Sequence, residues 1–259
     1  MIRRPARSAA RIALAALLAL QVVAVGAAPA GAAEAAFHLD LASKGDYVKQ
    51  TNFVQCVGAS MQMMLNMINP TDDRSSKTQL RLQNLARELS GRRSDGSQRK
   101  GASVRGWSAG LNELGAGPYR LVGTTTIDEA LRLAAAAIRQ TNRPVGLLVW
   151  RGRHAWVMSG FQATADPRAT GNYKVTAAIV MDPLYPHGSS VWGPSPEPRE
   201  ALSVKALGRQ FVPRRGNANF AGNSVDPTAQ ATMSALSGKY VLVLPYEMIP
   251  SARLFHVAR

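Results

Sequence analysis

The chain has one cysteine, Cys56, among 259 residues. No disulfide can form within it, and no pair of thiolates is available for a zinc site. Acids are also scarce: 16 Asp and Glu stand against 31 Lys and Arg, giving a net charge of +15 and a pI near 10.9. That imbalance favours acidic partners such as nucleic acid, anionic lipid or an anionic cell wall. The basic residues are scattered, however, and no nucleic-acid-binding motif accompanies them, so nucleic acid is not an expected partner. The densest cluster, Arg92-Arg93 with Arg99-Lys100, lies among Gly and Ser and reads as a solvated loop. The sequence also lacks an internal repeat, a long linker and an apolar run of the ~20 residues that a membrane helix needs. An apolar fraction of 46% is ordinary for a globular chain and too high for a disordered one.

A mainly apolar run from Ile12 to Val25 follows Arg3, Arg4, Arg7 and Arg11 and precedes the small residues Gly26 to Ala33. A basic stretch, an apolar stretch and A-x-A-like sites such as Ala28-Pro29-Ala30 form the order of a secretory signal. Residues 1–33 are therefore expected to be a signal peptide, with an uncleaved anchor lengthened by the small-residue tail as the competing reading, and residues 34–259 a single domain. The product would be secreted or cell-wall associated, with no stable membrane insertion after cleavage. Without the signal, 27 basic and 16 acidic residues remain. Export gives the lone cysteine weight, because cysteines in oxidising compartments usually pair. An odd one is a free reactive thiol, an intermolecular bridge or a small buried hydrophobe, and its neighbours must decide.

Those neighbours form a helix. From Cys56 to Ile68 the apolar positions cover most of the circumference, which predicts a central, buried helix. No His or second Cys accompanies its methionines, so they read as adaptable core filling rather than a metal site. Asn69-Pro70 ends it. A second helix is expected over about Lys77 to Leu89, with Leu80, Leu82, Leu85 and Leu89 as its buried stripe. A third runs from the cap Ser103 to Leu114, ending at Gly115. After a short strand at Tyr119 to Val122, Thr126-x-x-Glu129 opens a fourth as a capping box.

The pattern then changes to short apolar runs. Strands are expected at Pro144 to Trp150, His154 to Phe161, Tyr173 to Met181 and Lys239 to Leu244, with the first two forming a tight antiparallel hairpin. Helical turns are expected near Glu200 to Ala206 and Thr228 to Leu236. Helices first and an antiparallel sheet second define an α+β protein.

The chemistry of this order centres on Cys56. A thiol at a helix N-terminus meets free N–H groups and the positive end of the helix dipole, which favour the nucleophilic thiolate. The Cys56 N–H and the side chain of Gln50, six residues upstream, are candidate donors to an oxyanion. Among the histidines, His154 has the best setting for a proton shuttle, at the start of a strand after a tight turn. An ordinary turn-exposed histidine is the competing reading. Asp182 closes the following strand and can orient the imidazole, although Asp-Pro is also a common turn starter. His38, His187, His256 and the four tryptophans receive structural readings.

Gln50, five intervening residues, Cys56 at a helix start, the later H-A-W-V-M-S-G strand and V-M-D-P resemble the papain-like cysteine peptidases. The order and the Asp as third member are similar to the bacterial branch that includes the bacteriocin-leader (double-glycine) processing peptidases. The resemblance covers roughly residues 46–183. It implies a papain-like fold, with an N-terminal helical part and a central Cys-bearing helix packed on a C-terminal antiparallel sheet. It implies Cys56 as nucleophile, His154 as base and acid, Asp182 as orienter and Gln50 as oxyanion donor, with no cofactor and no metal. The papain C-G-S-C-W signature is absent: Gln55-Cys56-Val57-Gly58 stands there, with Gly58 one place later than in the bacterial relatives. The expected function is secreted peptide-bond hydrolysis through an acyl-enzyme, with a peptide or protein substrate and an anionic cell wall as a further partner. Competing expectations are a murein amidase or endopeptidase, a transglutaminase-like enzyme and an inactive binding module on the same scaffold.

Overall fold

The computed structural model describes residues 36–92, 96–97, 100–215 and 227–247. The expected signal peptide, residues 1–33, lies outside the described residues, as does His256.

The chain opens with strand β1 (Phe37–Asp40) and three helices, α1 (Cys56–Ile68), α2 (Ser76–Glu88) and α3 (Val104–Glu113). Strand β2 (Tyr119–Thr124) leads to α4 (Ile127–Thr141), then to the hairpin of β3 (Val145–Val149) and β4 (His154–Ala163), and to β5 (Val175–Met181). A small hairpin, β6 (Gly188–Ser189) and β7 (Gly193–Pro194), follows. The remaining elements are β8 (Glu200–Ser203), α5 (Val204–Leu207), α6 (Pro227–Ala235) and β9 (Tyr240–Pro245).

The helix caps follow from the sequence. Ser75, Ser103 and Thr126 accept the N–H of Thr78, Gly106 and Glu129 through their hydroxyl oxygens. Asn142 closes α4 in the left-handed conformation that Asn tolerates. The Glu129 carboxylate returns to the N–H of Thr125 rather than to Thr126 itself.

Seven strands form one antiparallel sheet in the order β2-β9-β3-β4-β5-β8, and β1 pairs with the second half of β4. The protein is thus α+β. Both faces of the sheet are covered. Leu148, Ala155, Val157, Met181, Val241 and Val243 join a core with α1, α2 and α3. Their alternates Leu147, Val149, Trp156, Met158, Val180 and Leu242 join a second core with α4 and α5. Double coverage explains why β3 reads as an uninterrupted apolar run, VGLLV, buried at every position. Among the described residues no helix is long and apolar enough to cross a membrane.

Two expectations change. The buried stripe of α2 is Gln79, Leu82, Gln83 and Ala86, whereas Leu80 is half-exposed at 49%. The two glutamines turn inward because their amides satisfy main-chain groups of the segment before α1 and of its first turn. The expected helical turn at Glu200 to Ala206 begins as strand β8, which pairs with β5, and becomes helical only at Val204. The open edge of β5 supplies backbone partners that local propensity does not foresee.

Candidate active site

Helix α1 starts at Cys56 without a side-chain cap from Gln55. Its first turn is held from a neighbouring helix instead. Gln83 on α2 accepts the Gly58 N–H at 2.9 Å and donates to the Val54 carbonyl at 2.9 Å. Gln79, one turn earlier, accepts the Thr51 N–H at 2.8 Å and donates to the Lys49 carbonyl at 2.9 Å. Four hydrogen bonds from two buried amides therefore fix the stretch from Lys49 to Gly58, which contains Cys56. Gly58 permits the approach: a Cβ there would lie 2.7 Å from the Gln79 carbonyl oxygen and 2.9 Å from Gln83 Cβ. Among the described residues the N–H groups of Cys56 and Val57 have no hydrogen-bond partner within the protein. They are open at the positive end of the helix, where an anion is stabilised.

One turn further on, Ser60 Oγ donates to the Ala155 carbonyl at 3.2 Å and seats α1 against the start of β4. This brings Cys56 to His154. The imidazole is buried, at 4% exposure, and its Nε2 lies 2.6 Å from Asp182 Oδ1. Strand register explains that contact. Val157 pairs with Met181, so continuing by one residue sets Asp182 opposite Trp156, one pleat from His154 on the same face. Asp182 is fully buried, and its Oδ1 also accepts the Leu184 N–H at 2.8 Å.

Burial pushes the His154 pKa down, but the hydrogen bond that the ring donates to Asp182, the side-chain interaction with Cys56 and the charge of Asp182 outweigh it and raise it to about 9. With Nε2 on Asp182, Nδ1 is the nitrogen left for the thiol. At neutral pH His154 is therefore an imidazolium, and its proton is available to a leaving group.

Gln50 sits beside this group. Its N–H donates to the Pro183 carbonyl at 2.8 Å, next to Asp182, and its Nε2 donates one hydrogen to the Asn52 carbonyl at 2.9 Å. The second Nε2 hydrogen has no partner among the described residues, and Oε1 is buried and unpaired. Tyr47 braces the same turn, donating its hydroxyl to the Tyr185 carbonyl at 3.0 Å. Burial and the nearby Asp182 charge push its pKa up.

Four residues expected to act together, Cys56, His154, Asp182 and Gln50, thus lie in one place. Sequence reasoning missed their supports. Trp150 stacks on His154, with ring centroids 4.2 Å apart and planes 23° from parallel. It donates Nε1–H to Gln210 Oε1 at 2.8 Å and its main-chain N–H to the Gln210 carbonyl at 2.9 Å. Trp150 and Arg151 both have φ of 56°, in the left-handed region that bulky side chains avoid. Gln210 offsets that strain by taking both donors of Trp150. The signal for Gln79 and Gln83 was present, as two glutamines four apart on one helix face. Nothing local marks Gln210. His187 is exposed and His38 lies in β1, neither of them in the group around Cys56.

No family model matches this chain, and comparison with curated proteins and with solved structures returns no match.

Proposed function

We propose that the protein is an exported papain-like thiol hydrolase that cleaves peptide bonds, with Cys56, His154 and Asp182 as its triad. The observation that carries this reading is the buried imidazole, bonded to Asp182 at 2.6 Å through Nε2 and close enough to the helix-start thiol to interact with it. Buried cysteines that only fill space have no reason to meet a charged histidine. The Cys-bearing helix on an antiparallel sheet supports the papain-like assignment. Residues 1–33 support export.

In the proposed reaction the Cys56 thiolate attacks the carbonyl carbon, a C–S bond forms and the carbonyl π pair moves to oxygen. The Cys56 N–H and the second Nε2 hydrogen of Gln50 are the donors for that oxyanion. Collapse breaks the C–N bond as His154 gives its proton to the departing amine. Neutral His154 then takes a proton from water, whose oxygen attacks the thioester. The C–S bond breaks, the acid is released, and thiolate and imidazolium are restored.

The test is digestion of casein and of purified cell wall by the mature chain, beside Cys56→Ala. Peptide release from casein that Cys56→Ala abolishes is the expected result. Solubilised cell wall with untouched casein would move the substrate to murein. Inertness towards both, with Cys56 alkylated by iodoacetamide only near the ordinary thiol pKa of ~8.5, would overturn the hydrolase reading.

A further inference from the structure

The turn that delivers His154 carries two exposed arginines, Arg151 and Arg153. The loop after α5 brings two more exposed arginines to the same rim. Arg209 precedes Gln210, which holds Trp150, and the Arg215 N–H donates to the Arg151 carbonyl at 3.1 Å. Arg151 also reaches over Trp192 between β6 and β7, 6.0 Å from the ring centroid. Among the described residues no carboxylate forms an ion pair with any of the four; the arginine pairs present are Arg139 with Asp166 and Arg199 with Asp40. Like charges gathered without counter-charges repel one another and oppose folding, so stability gives no reason for the cluster.

Its position does give one. A general acid must come within hydrogen-bond reach of the nitrogen it protonates. The departing amine therefore lies at His154, and the substrate chain beyond that nitrogen runs over the elements on the histidine side. Those elements are the Trp150–Gly152 turn, the Arg209–Arg215 loop and the β6–β7 hairpin. The acyl half lies instead towards α1, where Phe53 and Val54, both exposed, precede Cys56.

We propose that the substrate is a peptide with acidic residues just after the scissile bond, whose carboxylates are held by Arg151, Arg153, Arg209 and Arg215. This rests on the hydrolase reading and adds the substrate class. Arginine suits the role because its planar fork binds a carboxylate through two parallel N–H donors.

Cleavage sites in a casein digest, read by mass spectrometry, fix the frame. Peptides of one cleaved sequence then carry Asp, Ala or Lys at the three positions after the cut. The expected result is kcat/KM roughly tenfold higher for Asp than for Ala at low salt, the scale of a few exposed ion pairs. The preference shrinks in 0.5 M NaCl, because exposed charges are screened. Arg151→Glu with Arg153→Glu is expected to reverse it in favour of Lys; Arg209→Glu repeats the test on a different element. Cuts without acidic bias, or a bias that survives both charge reversals, would overturn this inference and leave the hydrolase standing. A casein digest with no cuts overturns this inference, and only inertness towards cell wall as well overturns the hydrolase reading with it. Inhibition of Ala-peptide cleavage by dextran sulfate without any Asp preference would assign the arginines to an anionic polymer instead, and refute a peptide-directed role.

Discussion

Replacing Asp182 by Asn tests the electrostatics of the site with little change of shape. The wild-type carboxylate is fully buried, accepts from His154 Nε2 at 2.6 Å and from the Leu184 N–H at 2.8 Å, and leaves Oδ2 unpartnered. An asparagine oxygen can keep both bonds, so the ring need not turn. What disappears is the negative charge that stabilises the imidazolium. A hydrogen bond to a charged group contributes about 1.5–3 kcal/mol, equivalent to about one to two pKa units. Burial, which opposes the charged ring, is unchanged. The His154 pKa is therefore expected to fall from about 9 to about 7–8. Imidazole NMR titration reads this directly, and the alkaline limb of kcat/KM should move down with it. A variant that folds like the wild type and still titrates near 9 would refute the claim that Asp182 holds the proton on His154.

The same proton links pH to stability. The folded pKa of about 9 lies above the unfolded value of ~6.5, so this stabilisation is complete below pH 6.5 and is lost as pH rises through 9. Its size is about 3 kcal/mol, and urea midpoints at pH 6 and 9.5 should differ accordingly, with His154→Gln flattening the difference. Gly58→Ala pushes a methyl group against the Gln79 carbonyl and Gln83, and should cost about 1–3 kcal/mol by thermal unfolding. It should also slow alkylation of Cys56, because the helix start is displaced; an unchanged alkylation rate would separate packing from reactivity. Trp150→Phe keeps a ring over His154 but strands Gln210 Oε1, whereas Trp150→Ala removes the stack as well. The alanine variant should lose roughly tenfold or more in kcat, with Phe restoring part of it, as expected of a residue that positions the imidazole. Equal losses in the two variants would mean that the stack contributes nothing.

Much of the fold is legible locally. Ser103 and Thr126 mark helix starts because a capping side chain acts within three residues. The β3–β4 hairpin follows from two apolar runs around a short turn. Cys56 at a helix start and His154 at a strand start were equally readable, since each is a position along one element. The leucines of α2 misled because Gln79 and Gln83 read as solvent-facing when their partners, the backbone of Lys49 to Gly58, are unknown.

By itself the sequence determined the four long helices with their caps, the central strands, and Cys56, His154, Asp182 and Gln50 as the candidate group. Only the tertiary structure decided that β9 lies between β2 and β3, that the sheet is covered on both faces, and that Asp182 sits one pleat from His154. It alone brought Gln83 to the first turn of α1 and Gln210 to Trp150. The physical reason is range. Propensity and capping act within a turn or two of the chain, whereas strand register, burial of an amide and convergence of charges depend on partners 25 to 60 residues away along the polypeptide.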